Sequence, residues 1–306
     1  MRWLLLLTAL LAAATGVQAQ DADTTLIDPT GHFAVYTADG TPSNLDAVAA
    51  AMANADVVFL GEVHNDPTAH ALQRHLLEAA HHAYGDSRPV ALSLEMFERD
   101  AQLVLDEYLA GLIRERDFLA ASRPWSNYAT DYRPLVEYAK AHGLPVIAAN
   151  APGRYVSRMS REGLAALDAL SPSARAFLPP LTVAAPSEAY ADKFRAEMEG
   201  MGAHGGTNHG MPSVEGMLAS QNLRDATMAF SLAEHLARTP GALILHVNGS
   251  FHSTSGLGTV EQVAHYAPEA RTLVITMQPV DDIHAAPELT GDAFVIQTDT
   301  ALQPEQ

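Results

Sequence analysis

Six short runs of apolar residues, several of them β-branched, are spaced along the chain. They are residues 56–60, 89–94, 145–149, 242–247, 272–276 and 293–297. The runs are almost continuously apolar rather than alternating, which is typical of strands buried on both faces of a parallel sheet. Helical patterns lie between them. The sequence therefore predicts an α/β fold with a mainly parallel, open sheet flanked by helices.

The segments between the runs show the spacing of amphipathic helices. In residues 66–84, apolar side chains recur at helical spacing and are predicted to face the sheet. Asp66 is suited to cap this helix, and Pro67 to its first turn, where the missing N–H costs nothing. Residues 99–113 and 133–142 show the same pattern.

The alternation of strands and helices stops after the third run. Residues 151–238 contain only helical patterns and one stretch, 198–211, that is too rich in glycine to hold a helix. We predict an α/β core of residues 20–150 and 239–299, with residues 151–238 inserted as a helical subdomain. Residues 300–306 are predicted to form a loose tail.

The first 19 residues have the layout of a secretory signal peptide. Arg2 supplies a positive charge, residues 4–17 are apolar, and Val17-Gln-Ala19 is a small-residue cleavage site. The alternative is a single membrane anchor, but the apolar stretch is short for a bilayer span of about 20 residues. We expect cleavage after Ala19 and a periplasmic or secreted protein.

The amino-acid composition excludes several classes of site and ligand. The chain has no cysteine, so disulfides, thiolate metal sites and a lipid-modified N-terminal cysteine are excluded. The formal net charge is −18, with 36 acidic and 18 basic residues. Because a basic surface supplies the affinity for nucleic acid and anionic lipid, the chain is a poor candidate for either ligand. Small molecules, metals or a partner protein remain as candidate ligands.

Polar residues with catalytic or ligand-binding chemistry collect where the predicted strands end. Glu62 and His64 follow the first run, Glu95 follows the second, and His252 follows the fourth. Because ligands of open parallel sheets bind beyond the carboxyl ends of the strands, we expect these four side chains to converge. Two imidazoles and two carboxylates suit a divalent ion such as zinc, manganese or iron. Each residue also has a structural interpretation, as an acceptor for turn N–H groups or as a loop histidine.

Four further residues are candidates for binding a cofactor. His70 and Arg74 lie one turn apart on the first predicted helix, on the face away from its apolar side. Near a helix N-terminus they can hold a carboxylate or phosphate, unless that face is simply solvated. His204 and His209 lie in the glycine-rich stretch with three methionines, a set that can bind haem iron or copper. The alternative there is a solvated loop.

Five motifs together resemble the ChaN-type haem-binding proteins of the Tiki superfamily. They are GEVHNDPTAHALQ, LEMFERDAQ, WSNYATDYRPLVEYAKAHGLPVIAANAP, QNLRDATMA and NGSFH, and they extend from Phe59 to His252. The resemblance implies an α/β fold with a helical subdomain and a role in bacterial haem or iron uptake. It also implies a homodimer that holds haem between subunits, with a tyrosine on the iron and a histidine or lysine on the propionates.

The resemblance also implies which residues form the site. The matching motifs imply that the polar site shared by the family is also present in this chain. Its members are Glu62, His64, His70, Glu95 and His252. Tyr190, Tyr128 and Tyr132 are the candidate iron ligands, and an outer-membrane haem receptor is a candidate partner. Many relatives are lipoproteins, and this chain lacks the cysteine for that attachment.

These observations leave two main hypotheses. The first is an exported haem-binding protein of haem or iron uptake. The second is a metal-dependent hydrolase like the Tiki-type metalloproteases or erythromycin-esterase-like enzymes. In that enzyme His64, His252 and one glutamate would hold the ion, and the other of Glu62 and Glu95 would activate water as general base. A third is a copper-handling protein centred on the glycine-rich stretch. The resemblance favours haem binding.

Overall fold

The computed structural model describes residues 27–200 and 213–302. The predicted signal peptide and the candidate ligands His204 and His209 lie outside these residues. Within them, eight strands form one sheet. The strands are β1 (Phe33–Thr37), β2 (Pro42–Ser43), β3 (Val57–Glu62), β4 (Val90–Glu98), β5 (Val146–Asn150), β6 (Leu243–Gly249), β7 (Thr272–Val280) and β8 (Phe294–Asp299).

The sheet is mainly parallel, as predicted. Its strand order is β2-β1-β8-β7-β3-β6-β4-β5, and the six strands β3 to β8 run parallel to one another. Only β1 pairs antiparallel, with β2 and β8. The six predicted runs correspond to β3–β8, and the α/β prediction is confirmed. The sequence analysis did not predict β2, which has only two residues, or β1, although residues 33–36 of β1 form a short apolar run.

Ten α-helices accompany the sheet in the described part of the chain. They are α1 (Leu45–Ala51), α2 (Pro67–Tyr84), α3 (Gln102–Leu109), α4 (Glu115–Ser122), α5 (Arg133–His142), α6 (Gly153–Glu162), α7 (Pro172–Arg175), α8 (Glu188–Gly200), α9 (Val214–Arg238) and α10 (Thr259–Tyr266). At the start of α2, the Asp66 carboxylate accepts the backbone N–H groups of Thr68 and Ala69 at 3.0 and 3.1 Å. The predicted cap is confirmed, and it fixes the helix N-terminus close to the end of β3.

Helices α2 and α9 cover opposite faces of the central strands. Val58 and Leu60 of β3 share one apolar cluster with Leu72 of α2. Phe59 shares the other with Leu232 of α9. Because side chains alternate along a strand, the ends of the central strands present residues to both helices.

The described residues between β5 and β6 form helices joined by loops, the longest of them residues 176–187, and contain no strand. The first half of α9 packs with α6 through Leu223 and Met159, and its second half packs on the sheet. The domain boundaries predicted at residues 151 and 238 stay predictions. Within residues 27–200 and 213–302, no helix has the length and apolarity needed to cross a bilayer.

Candidate functional site

The four strand-end residues meet at the middle of the sheet. Glu62 ends β3, Glu95 lies in β4, and His252 lies in the 3-10 turn that follows β6. Because β6 lies between β3 and β4, their carboxyl ends are adjacent. The register of β4 against β5 shifts between Leu94 and Glu98, and Glu95 lies in this irregular stretch. Glu62, His64, Glu95 and His252 are called the strand-end cluster below.

Glu62 is the centre of a hydrogen-bond network on the α2 side. Its side chain is fully buried, yet both oxygens have partners. Oε1 accepts the Tyr132 hydroxyl at 2.6 Å and lies 2.9 Å from His64 Nδ1. Oε2 accepts the Gln73 amide at 2.6 Å and lies 3.1 Å from His70 Nδ1. These partners replace the water that a buried carboxylate loses.

His70 is buried, with a relative exposure of 1%. The alternative that this face of α2 is simply solvated is therefore wrong for His70. The π-helical segment Tyr128–Tyr132 covers this face, and the Tyr132 ring meets the His70 ring edge to face at 5.0 Å. His70 Nε2 lies 3.3 Å from Asp131 Oδ2. His70 thus holds carboxylates, but they belong to the protein itself.

His70 and Glu62 form a buried ion pair. Burial alone lowers the pKa of an imidazole and raises that of a carboxyl group. For His70, the charges of Glu62 and Asp131 outweigh burial and raise its pKa to about 10. For Glu62, the charge of His70 and the hydrogen bonds from His64 and His70 outweigh burial and lower its pKa to about 2. Both groups are charged at neutral pH.

His252 is the centre of a second network, on the α9 side. Its Nδ1 lies 2.7 Å from Asp225 Oδ1, and its Nε2 lies 3.5 Å from Glu95 Oε1. The Asp225 carboxylate also accepts the Thr259 hydroxyl at 2.7 Å and the Tyr190 hydroxyl. Burial lowers the pKa of His252, but the charges of Asp225 and Glu95 raise it overall to about 9.

His64 lies between the two networks, and its side chain is partly exposed to solvent. Its side chain is 41% exposed, whereas Glu62 and Glu95 are buried. A Cβ atom at Gly249 would lie 2.8 Å from His64 Cε1 and Nε2, so the ring rests on this glycine. The N–H of Gly249 donates to Glu95 Oε2 at 2.8 Å. The Trp125 ring meets His64 edge to face at 4.8 Å.

Arg74, the other predicted cofactor contact on α2, is partly buried and has partners within the protein. Arg74 donates to the Pro134 carbonyl, pairs with Glu78 and lies 3.9 Å over the Tyr138 ring. Its guanidinium is used within the protein, which speaks against the predicted role in holding a ligand carboxylate or phosphate.

The candidate tyrosines are buried. Tyr190 and Tyr132 donate their hydroxyl groups to Asp225 and Glu62, and Tyr128 is enclosed by aromatic rings. Burial raises the pKa of all three hydroxyl groups, and neighbouring acidic groups raise it further. This geometry speaks against the prediction that Tyr190 contacts haem.

The strand-end cluster does not have the geometry of a metal site. In the described parts of the chain, no three His, Asp or Glu side chains are arranged to hold a metal ion. Nδ1 of His64 and of His252 each face a carboxylate oxygen, so these two ring nitrogens are engaged within the protein. The prediction of a divalent ion on Glu62, His64, Glu95 and His252 is therefore not supported.

A cleft of about 560 Å³ lies beside the strand-end cluster. Its walls include the apolar side chains of Val63, Phe251, Pro279 and Val280, and also Lys193. The Lys193 ammonium donates to the Phe251 carbonyl at 3.0 Å. The volume falls within the range of about 300–1,000 Å³ typical of small-molecule sites.

Sequence reasoning missed three polar partners of the site. Gln73 and Asp131 support Glu62 and His70, and Asp225 supports His252. The sequence contained a signal for Asp225, because it lies on the same helix face as Ala229 and Leu232, which are buried. A charged residue on the inner face of a helix indicates a buried partner. The segment around Asp131 carried no such signal.

Comparison with known proteins supports the family. The family described as haem-binding uptake, Tiki superfamily, ChaN matches residues 48–263. A solved structure reported as cofacial haem binding to ChaN of Campylobacter jejuni aligns with a TM-score of 0.66 and 14% identity, covering 88% of this chain and 98% of that chain. This likeness shows a shared fold.

Two other solved structures are less similar. An erythromycin esterase mutant aligns with a TM-score of 0.45 and 12% identity, covering 87% of this chain and 83% of that chain. A Bacillus cereus protein aligns with a TM-score of 0.43 and 12% identity, covering 81% and 72%. No curated protein matches the chain. With most of its length matched by the family profile, the chain belongs to the ChaN haem-binding uptake family of the Tiki superfamily.

Proposed function

We propose that this protein binds haem at the strand-end cluster and the adjoining cleft, and that it takes part in haem or iron uptake outside the cytoplasm. Membership of the haem-binding uptake family supports the ligand class. The observation that carries the site is His64, a half-exposed imidazole whose neighbours in the cluster are buried.

The setting of His64 suits an iron ligand. Its Nδ1 faces Glu62 at 2.9 Å, which fixes the orientation of the ring. A carboxylate on the far nitrogen is the usual support of a metal-binding histidine, since it sets the tautomer and raises the basicity of the other nitrogen. His64 Nε2 forms no hydrogen bond to protein within the described residues. This nitrogen is the one we assign to the iron.

The cleft suits the rest of the haem molecule. Haem supplies an iron centre within a flat apolar ring that carries two carboxylates. Val63 and Phe251 offer apolar surface to such a ring, and Val63 is 45% exposed. Lys193 lies in the same wall and forms no ion pair with a described carboxylate. The charges of Glu197, Asp292 and Asp225 also act on it, and we propose that it faces a propionate beside these carboxylates.

Homodimerisation and export belong to the proposal. A haem bound at half-exposed His64 keeps one face open, and a second copy of the chain would cover that face. The predicted signal peptide supports export, and N-terminal sequencing of protein expressed in a bacterium should find a mature chain that begins at Gln20. Detection of Met1 in the exported fraction would contradict cleavage. An outer-membrane haem receptor stays a predicted partner.

The test is titration of the protein with hemin, followed by the Soret band. Wild type should show a saturable shift, and His64→Ala should weaken binding by roughly tenfold or more. His82→Ala is the matched control, because His82 is an exposed histidine at the other end of α2. It should bind like wild type.

Two results would contradict the proposal. One is nonspecific absorbance with wild type, and the other is unchanged affinity in His64→Ala. The alternative function, a metal-dependent hydrolase, would gain support if zinc or manganese allowed ester or peptide cleavage that Glu62→Gln abolishes. In the described parts of the chain no three His, Asp or Glu side chains are arranged to hold a metal ion, which does not favour this alternative.

A further inference from the structure

We infer that Arg224 is the residue of this site that recognises a carboxylate of the ligand. The inference rests on the proposed function, because it takes that carboxylate to be a haem propionate. It adds a specificity-determining residue that neither the strand-end cluster nor the cleft contains.

Arg224 lies at the carboxyl edge of the sheet. It belongs to α9 and precedes Asp225, the partner of His252. Its Nη1 donates to Asn150 Oδ1 at 3.1 Å, and Asn150 is the last residue of β5. The same Asn150 oxygen accepts the Ala151 N–H at 2.8 Å, so the amide that orients the guanidinium is itself fixed. The charge of Arg224 is felt at His252, where it opposes the rise in pKa.

The guanidinium of Arg224 has no acidic partner. Within residues 27–200 and 213–302, no Asp or Glu oxygen lies within ion-pair distance of it. Arg99 pairs with Glu234 and Arg154 with Asp100, whereas half-buried Arg175 also lacks an acidic partner in the described residues and donates to the nearby Pro179 carbonyl. Arg224 differs from Arg175 in its position, because its hydrogen bond to Asn150 holds it at the carboxyl end of β5. A half-buried cation left unpaired among acids indicates an anion that arrives from outside the chain.

The guanidinium suits an oxyanion, and the carboxylates of haem are the oxyanions that the proposed ligand offers. Its N–H donors form a planar fork that matches two carboxylate oxygens, and one bond to Asn150 leaves the other donors free. The acidic surface of the chain repels an anionic ligand. The positive charge of Arg224, fixed by Asn150 at the carboxyl end of β5, offsets this repulsion where the propionate would lie.

The experiment compares hemin with hemin dimethyl ester, which keeps the iron and the ring but lacks both carboxylates. Wild type should bind hemin more tightly than the ester by about tenfold or more, the scale of a charge-assisted hydrogen bond. Arg224→Gln should reduce this preference severalfold, and the part that remains comes from Lys193. Arg224→Lys should keep part of it, because it retains the charge without the fork. Arg238→Gln is the control, since Arg238 also has no ion pair and ends the same helix at the opposite edge of the sheet.

Each outcome of this comparison supports or contradicts the inference. If Arg224→Gln weakens hemin and ester equally, or leaves their ratio unchanged, the inference is wrong and Arg224 acts only on the fold. Circular dichroism of each variant shows whether the protein remains folded, and Arg224→Lys serves if Arg224→Gln does not fold. If wild type binds neither compound saturably, the proposed function itself fails.

Discussion

At the scale of single residues, the partner decides whether a buried histidine carries a charge. His246 is fully buried in β6 against the Ser93 hydroxyl at 2.9 Å, and burial lowers its pKa to about 3. His70 is equally buried, but Glu62 and Asp131 raise its pKa to about 10. The difference arises because a hydroxyl group cannot compensate for the desolvation of a positive charge, whereas two carboxylates can.

The ion pair between His70 and Glu62 predicts a pH-dependent stability. The pKa of His70 is raised above its unfolded value, so its contribution is complete below about pH 6.5 and is lost as pH rises through about 10. The pKa of Glu62 is lowered, so its contribution is present above about pH 4.5 and is lost as pH falls through about 2. The pair should therefore stabilise the fold most between pH 4.5 and 6.5.

Replacement of His70 tests this assignment. His70→Gln should reduce the free energy of unfolding at pH 6 by about 3 kcal/mol, because it leaves Glu62 as a buried, uncompensated charge. The difference from wild type should shrink above pH 9. Urea unfolding at pH 6 and pH 10 measures it, with His82→Gln as the exposed control on the same helix. A difference that stays constant with pH would refute the charged pair.

At the scale of elements, the site depends on how closely β6 approaches the residues that follow β3. Gly249 ends β6, and its lack of a side chain leaves room for the His64 ring. The sequence showed that a glycine precedes each of the two histidines by three residues. It could not show that Gly249 makes room for His64, which follows a different strand, because that contact exists only once β3 and β6 are paired.

Gly249→Ala should therefore displace His64. A Cβ atom 2.8 Å from the ring forces the imidazole or the strand to move, at a cost of roughly 1–3 kcal/mol in unfolding free energy. Hemin affinity should fall in the same direction as in His64→Ala. Gly200→Ala is the control, since a Cβ there meets no atom within 4 Å. Wild-type hemin affinity in Gly249→Ala would show that His64 does not need this position.

At the scale of the whole molecule, the parallel sheet places the chemistry at one edge. Residues as far apart as Glu62 and His252 become neighbours because β3 and β6 run parallel and adjacent. Helices α2 and α9 then supply partners from opposite faces, Gln73 and His70 from one and Asp225 from the other. The open side of this edge is where the proposed second copy would pack.

Haem should therefore change the size of the particle. The full chain has a mass of 32.6 kDa, and the light-scattering mass of the processed protein should double when hemin is added. His64→Ala should reduce this shift, whereas His82→Ala should not. A particle that stays monomeric with saturating hemin would contradict the proposed dimer.

Much of the fold followed from the sequence alone. The continuous apolar runs predicted β3–β8 because strands buried on both faces need apolar residues at every position. The Asp66-Pro67 pair predicted the start of α2, and strand-end polarity predicted the cluster of Glu62, His64, Glu95 and His252. These are local signals, or follow directly from the geometry of a parallel sheet.

Only the tertiary structure decided how those residues are used. It buried His70 under the segment Tyr128–Tyr132, enclosed Tyr190 behind Asp225, and paired the imidazoles with carboxylates where the sequence had predicted a metal ion. It also left Arg224 without an acidic partner. The periodicity of a single element gives the direction of a side chain relative to that element. Burial and pairing depend on which distant segment covers the side chain, and that is fixed only when the whole chain packs.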